Sequence, residues 1–108
     1  MKLASDRITI NPENPRARWG TSLQGYVQAT FSQLCEALGQ PAPYECGDGK
    51  VLAEWLLQDE ETDVVATVYC YKETEIPLAS HRWHIGGFNQ KAVNLIRTVL
   101  PNNEVWSW

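Results

Sequence analysis

The sequence predicts an α+β fold in which two helices pack on one face of an antiparallel sheet. Two segments carry apolar residues at helical spacing, and three segments between them alternate like strands and are joined by short loops. Short loops favour a meander of neighbouring antiparallel strands. The pattern is typical of a two-layer sandwich with the order α-β-β-β-α. Whether a short strand is added at each end is left open by the pattern.

The N-terminal segment is the least regular part of the pattern. Residues 1–18 contain one alternating stretch, Arg7–Ile10, followed by Pro12 and Pro15. Proline within sheets is confined to edges and strand starts. We expect an extended arm or an edge strand here, ahead of a single α+β domain over residues 19–108.

The first helix is predicted over about 22–38 from a continuous apolar stripe. Thr21 is expected to be its N-cap, and Gln24 completes a capping box three residues later. Gly39 suits the position just after a helix, and Pro41 blocks its continuation. The stripe comprises Leu23, Tyr26, Val27, Phe31, Leu34 and Leu38.

Three central strands are predicted from alternating segments that carry few polar residues on either face. The polar run Asp59–Asp63 predicts a hairpin loop between the first two strands, and the tail Val105–Trp108 is a candidate for a further edge strand. The three strands cover Lys50–Gln58, Val64–Tyr71 and Leu78–Ile85.

The second helix is predicted over about 88–100, and Gly86 and Gly87 are expected to form the corner that leads into it. Pro101 ends this helix because proline cannot continue it. Its stripe comprises Phe88, Ala92, Leu95, Ile96 and Val99.

Composition narrows the class of function. The chain has 108 residues and a formal net charge of −4, which disfavours electrostatic binding of double-stranded DNA or of an anionic membrane. No apolar stretch approaches the ~20 residues that span a bilayer, and the start lacks the apolar core of a signal peptide. Cys35, Cys46 and Cys70 are odd in number and have no metal or redox spacing, so we expect reduced thiols in the cytoplasm.

Two clusters of glycine beside an aromatic residue open the predicted helices. Backbone N–H groups at a helix start can hold a phosphate, and a neighbouring ring can stack on a base. A protein-binding surface and a plain tight corner are the open alternatives. The candidate ligand-binding residues are Trp19, Gly20, Thr21, Trp83, His84, Gly86 and Gly87.

A second candidate surface combines acidic loops with strand aromatics. The acidic loop predicts either a solvated turn or a surface that engages a basic partner. Aromatic strand residues would form a patch on whichever face the helices leave uncovered, and such a patch suits a partner or a homodimer. The candidate partner-binding residues are Trp55, Asp59, Glu60, Glu61, Asp63, Tyr69 and Tyr71.

The signals for catalysis and metal binding are weak. His81 and His84 are spaced so that they lie on opposite faces of a strand, which argues against a shared metal ion. The sequence has neither a G-x-S-x-G nucleophile turn nor a Walker phosphate loop. We expect no metal, no cofactor and no enzymatic activity, and an enzyme built on His84 is the weakest alternative.

Four short motifs together resemble a family of small proteins common in bacteriophage genomes. They are Gly20–Tyr26, Leu38–Pro41, Glu54–Trp55 and Trp83–Gly87, and the resemblance covers roughly residues 19–98. It implies a viral origin and brings no assigned chemistry. The fold is more loosely similar to beta-lactamase inhibitor proteins and to outer-membrane assembly lipoproteins, although the lipidation signal of the latter is missing.

These observations favour a binding protein over an enzyme. We expect a small phage protein that inhibits or redirects a host protein in the cytoplasm of the host bacterium, with counter-defence of the anti-CRISPR type as the sharpest version. The alternative is a sponge that sequesters a nucleotide-like signalling molecule.

Overall fold

The computed structural model describes residues 8–10, 20–41, 53–70 and 79–107. These residues form one antiparallel sheet of six strands in the order β1-β3-β4-β5-β2-β6, together with two helices. In chain order the elements are β1 (Ile8–Ile10), β2 (Ser22–Ala29), α1 (Phe31–Leu38), β3 (Glu54–Asp59), β4 (Val65–Tyr69), β5 (His81–Gly87), α2 (Lys91–Val99) and β6 (Val105–Ser107). The predicted α+β sandwich is confirmed, and neither described helix is long and apolar enough to cross a membrane.

The sheet is built on the predicted meander of β3, β4 and β5. Their register sets Trp55 opposite Val68 and Val68 opposite Ile85, so these side chains share one face. Both helices supply apolar side chains to the core on that face, among them Leu34 from α1 and Ile96 from α2. The opposite face, which we call the open face, lies away from the described helices. Its β3–β4 half is buried nonetheless, since Glu54, Leu56 and Thr67 there are 6%, 3% and 2% exposed.

The prediction of a helix from residue 22 is wrong, because Ser22–Ala29 is strand β2. This strand lies between β5 and β6 and pairs with both. Burial along its second half alternates with a period of two, and tertiary pairing overrides the helical spacing of Leu23, Tyr26 and Val27. The observed order therefore places an unpredicted strand before α1, β3, β4, β5 and α2.

Helix α1 is capped nine residues later than expected. Thr30 Oγ1 accepts from the Gln33 amide at 3.1 Å, and Gln33 Oε1 accepts from the Thr30 amide at 2.9 Å, which completes a capping box. The assignment of Thr21 as N-cap is therefore wrong. The predicted end is confirmed, because Gly39 follows Leu38 with a φ of 81° and donates its amide to the Cys35 carbonyl.

The corner predicted at Gly86 and Gly87 is also wrong, because both residues are buried at the end of β5. Helix α2 begins at Lys91, whose amide donates to Asn89 Oδ1 at 2.9 Å. A Cβ on Gly87 would lie 2.3 Å from the Ala92 Cβ. Gly87 is therefore needed because it lets α2 pack closely on the sheet, and not because the chain turns there.

Candidate functional site

A row of aromatic side chains crosses four neighbouring strands on the open face. The register sets Tyr69 on β4 opposite His84 on β5, His84 opposite Tyr26 on β2, and Tyr26 opposite Trp106 on β6. The His84 ring centroid lies 5.3 Å from each tyrosine ring, with interplanar angles of 73° to Tyr26 and 89° to Tyr69. We call these four residues the aromatic row.

The row lies beside a glycine that makes space for it. A Cβ on Gly86 would lie 2.5 Å from Thr67 Oγ1 and 3.3 Å from Tyr69 Cε1. Any residue larger than glycine at position 86 would therefore clash with Thr67 and crowd the Tyr69 ring. Aromatic rings that cover a glycine on a sheet help to fix strand register.

Polar side chains lie next to the row on the same face of β2 and β5, at the pair Gln28 and Arg82. The Arg82 guanidinium carbon lies 4.6 Å from the centroid of the Tyr26 ring, a cation–π distance. Arg82 pairs with Gln28, and the Gln28 amide donates to the Glu104 carbonyl at 2.9 Å on β2's other side. An apolar centre with a polar rim is the anatomy of a protein–protein interface.

Trp106 is the most accessible member of the row, with 40% of its surface exposed. Tyr26, His84 and Tyr69 are half-buried. Tryptophan, tyrosine and arginine are the residue types most enriched at binding hot spots. The described part of the open face therefore concentrates these types beside one sheet edge.

The prediction that Trp55 and Trp83 belong to binding surfaces is wrong, because both are completely buried on the helix-covered face. Their rings pack edge to face at 5.6 Å, and Phe31 of α1 contacts both. Trp55 Nε1 donates to the Gly39 carbonyl at 2.8 Å, and Trp83 Nε1 donates to the Ala29 carbonyl at 3.1 Å. The alternation of β3 and β5 turns both indoles into the core.

One carboxylate of the acidic loop is buried and stabilises the turn, and the other three are exposed. Asp59 is buried, and its Oδ1 accepts from the Glu61 amide at 2.9 Å and from the Thr62 amide at 3.3 Å, so this carboxylate holds the turn. Asp59 is therefore withdrawn from the partner-binding residues. Glu60 accepts from Thr9 Oγ1 at 2.6 Å. Glu60, Glu61 and Asp63 are exposed, as expected of a hairpin loop.

The described glycines of the two predicted clusters lie near one another. Pairing of β2 with β5 sets Ser22 opposite Gly87, so the clusters share one end of the sheet. Gly20 is exposed with a φ of 85°, and a Cβ on it would lie 3.4 Å from Phe88 Cε1. Thr21 is half-buried. The space beside Gly86 and Gly87 is occupied by neighbouring side chains; Trp19 and Tyr71 lie outside the described residues.

A pocket of about 400 Å³ opens on the other side of the molecule, between the β3–β4 hairpin and α2. A smaller pocket of about 150 Å³ adjoins it at the start of α2, and Phe88 and Lys91 contribute to its lining. Of the predicted ligand-binding residues that the structure describes, none lines either pocket. The lining of the larger one includes Ile8, Asp59, Thr62, Val64, Lys91, Asn94, Leu95 and Thr98.

The histidines lie on opposite faces, as the spacing predicts. The His81 ring contacts Trp83 at 5.7 Å, whereas His84 belongs to the aromatic row. Within the described ranges, no group of three or more His, Cys, Asp and Glu side chains is placed to hold a metal ion. Cys70 is buried, and burial raises the pKa of the Cys35 thiol, which lowers its thiolate fraction and its reactivity.

Sequence reasoning missed three residues of this surface: Tyr26, Arg82 and Trp106. Tyr26 fits the apolar stripe that predicts a helix from residue 22, and the sequence does not show which strand the C-terminal edge strand pairs with. The available signal was the aromatic content of the segments around Tyr69, His84 and Trp106. Comparison with protein-family models, curated proteins and solved structures returned no match to this chain.

Proposed function

We propose that this chain is a non-enzymatic binding protein that holds a host protein against its open face and thereby inhibits or redirects it. The observation that carries the proposal is the aromatic row with its flanking Arg82. The resemblance to phage proteins favours a bacterial host, and a defence effector of the CRISPR type is the sharpest version.

The geometry supports a protein partner more than a buried small molecule. The row extends across four strands, and the side chains of Tyr26, His84 and Tyr69 are half-buried rather than enclosed. Half-buried rings are already ordered by their neighbours, so binding would cost little side-chain entropy. Acidic residues of the β3–β4 loop lie at the ends of these two strands and would give selectivity for a partner with a basic surface.

The test is affinity capture with matched variants. The tagged full chain is incubated with host extract, and captured proteins are identified and then purified for direct titration. Tyr26→Ala and His84→Ala remove rings from the row, whereas Phe88→Ala removes an exposed ring outside it. We expect a stoichiometric host protein that is lost with the row variants and retained by Phe88→Ala, and whose own activity falls on binding.

Thermal unfolding of each variant is the control for folding. Equal capture by the row variants and by Phe88→Ala would place the partner elsewhere on the molecule and contradict the open-face proposal. Capture without any change in the partner's activity or localisation would contradict the inhibitory role.

A second candidate function is the sequestration of a nucleotide-like molecule in the pocket beside α2. Its volume of about 400 Å³ falls within the usual range of small-molecule sites. Lys91 lines both pockets and offers a positive charge to a phosphate, although the carboxylates of Asp59 and Asp63 also line them, one in each pocket. Phe88 lines the smaller pocket. A thermal-shift panel of cyclic nucleotides tests this candidate, with Lys91→Ala as the variant that abolishes any shift and Arg82→Ala as a charge-matched control. A flat response across the panel would eliminate it.

A further inference from the structure

Strand β6 lies at one edge of the described sheet, and its backbone directions follow from one hydrogen bond. The Gln28 amide donates to the Glu104 carbonyl at 2.9 Å, and the β2–β6 register sets these two residues opposite one another. Hydrogen-bonded and non-hydrogen-bonded pairs alternate along an antiparallel ladder. The backbone groups of Trp106 therefore point toward β2, and those of Val105 and Ser107 point out of the sheet.

A second contact agrees with this direction. Arg97 Nη2 lies 3.4 Å from the Val105 carbonyl oxygen, which is a long hydrogen bond on the outer side of β6. No described strand lies on that side. An edge with outward N–H and C=O groups is a template for another strand.

We propose that β6 pairs antiparallel with β6 of a second copy of this chain, on a two-fold axis that passes beside Trp106. This register sets Trp106 opposite Trp106 of the partner subunit. It also sets Val105 opposite Ser107 of the partner subunit, and the outward groups of both residues then face one another. Two such pairs related by symmetry give four backbone hydrogen bonds.

The residues of β6 are what favour a second copy. An isologous interface requires the same residues to be complementary to themselves, and Val105, Trp106 and Ser107 include no charge that would repel its own copy and no proline that would remove an N–H. Trp106 would be in a non-hydrogen-bonded pair, where side chains approach most closely, with Cα atoms about 4.5 Å apart. The aromatic rows of the two copies would then join into one continuous row.

The expected dimer is weak. The interface comprises a strand of three residues and one tryptophan that is 40% exposed, so its area lies below that of stable interfaces. The bond from Arg97 to Val105 is long and exposed, so its loss opposes pairing only slightly. We expect a dissociation constant between about 1 µM and about 1 mM.

Site-specific cross-linking tests the register. Cysteine is placed at position 106, 105 or 107 in the full chain with Cys35 and Cys46 replaced by serine. Only Trp106→Cys sets two cysteines directly opposite, at a Cα separation of about 4.5 Å that a disulfide can bridge. Val105→Cys and Ser107→Cys set them diagonally, beyond the ~7 Å limit. We expect oxidation to form the dimer about tenfold faster with Trp106→Cys than with either neighbour.

Sedimentation of two variants at Ser107 tests the outward hydrogen bonds. Ser107→Pro removes an outward N–H and leaves the pairing of Trp106 with β2 intact, whereas Ser107→Ala retains the N–H. We expect Ser107→Ala to dimerise with rising concentration like the natural chain and Ser107→Pro to stay monomeric. If Ser107→Pro fails to fold, the cross-linking register decides instead.

Three results would overturn the proposal: a natural chain that is monomeric up to about 1 mM, equal dimerisation of both Ser107 variants, or equal cross-linking at all three positions. The proposal does not depend on the proposed function. Tyr69 lies on β4, three strands from the axis. Tyr69→Ala therefore lowers host-protein capture under the proposed function and leaves self-association unchanged.

Discussion

The two faces of the sheet use aromatic residues in opposite ways. On the helix-covered face, Trp55 and Trp83 are completely buried, and each indole N–H donates to a backbone carbonyl. On the open face, Tyr26 and Tyr69 sit half-buried on either side of His84. Residue type does not distinguish the two sets. The strand alternation that assigns a ring to one face decides whether it is completely buried in the core or half-buried on the opposite face.

The largest effect is expected on the helix-covered face. Trp83→Ala should lower the free energy of unfolding by about 3–5 kcal/mol, because it leaves a large cavity between α1 and the sheet. It also leaves the Ala29 carbonyl without its indole donor. Urea unfolding followed by circular dichroism measures the loss. If the alanine variant does not fold, Trp83→Phe should still lose about 1–3 kcal/mol, and an unchanged midpoint in that variant would contradict the role of the indole N–H.

The next largest loss of stability is expected at Gly25, where the edge strand β6 lies close to β2. A Cβ on Gly25 would lie 2.1 Å from the Trp106 carbonyl oxygen and 3.1 Å from Val93 Cγ2. Gly25→Ala should therefore displace β6 and cost about 1–3 kcal/mol. Hydrogen exchange should accelerate at the Trp106 amide more than at the amides of β4. Ser22→Ala, at an exposed position of the same strand, is the control and should change stability by less than about 0.5 kcal/mol.

A smaller loss of stability is expected when the N-cap of α1 is removed, and it distinguishes the observed helix start at Thr30 from the predicted one at Thr21. Thr30→Ala removes the N-cap of α1 and should cost about 1 kcal/mol. Thr21→Ala should have almost no effect, because Thr21 precedes a strand and caps no helix. Thermal unfolding of the two variants side by side measures the difference. Equal losses would show that the cap contributes nothing beyond the removal of a threonine.

Local patterns predicted the elements whose neighbours in space are also neighbours in sequence. The meander β3–β4–β5 needs only hairpins, and the sequence contains its three alternating segments and the polar loop between the first two. The faces were not assigned in this way, because Trp55 is predicted on a binding surface with Tyr69 and instead lies with Val68 on the helix-covered face. The end of α1 at Gly39 follows from backbone conformation alone. These features depend on interactions within a few residues, so a single sequence contains them.

Strand β2 could not be predicted in the same way. Leu23, Tyr26 and Val27 fit a helical stripe and a strand equally well, and the capping residues Thr21 and Gln24 favoured the helix. The decision depends on β5, which is about 60 residues away and pairs with β2 along most of its length. The aromatic row was missed for the same reason, since it exists only when β2 and β6 are in register with His84.

The smallest effect on stability is expected at Trp106, and it gives the sharpest contrast between the faces. Its ring is 40% exposed at the sheet edge, so Trp106→Ala should cost less than about 1 kcal/mol at concentrations where the chain is monomeric. A hot-spot tryptophan contributes about 2 kcal/mol or more to binding, which corresponds to about a 30-fold loss of affinity for the captured host protein. Phe88→Ala removes a ring that is 54% exposed and should leave that affinity unchanged. A Trp106→Ala variant that binds as tightly as Phe88→Ala would remove Trp106 from the binding surface and leave the remaining three rings of the row to carry it.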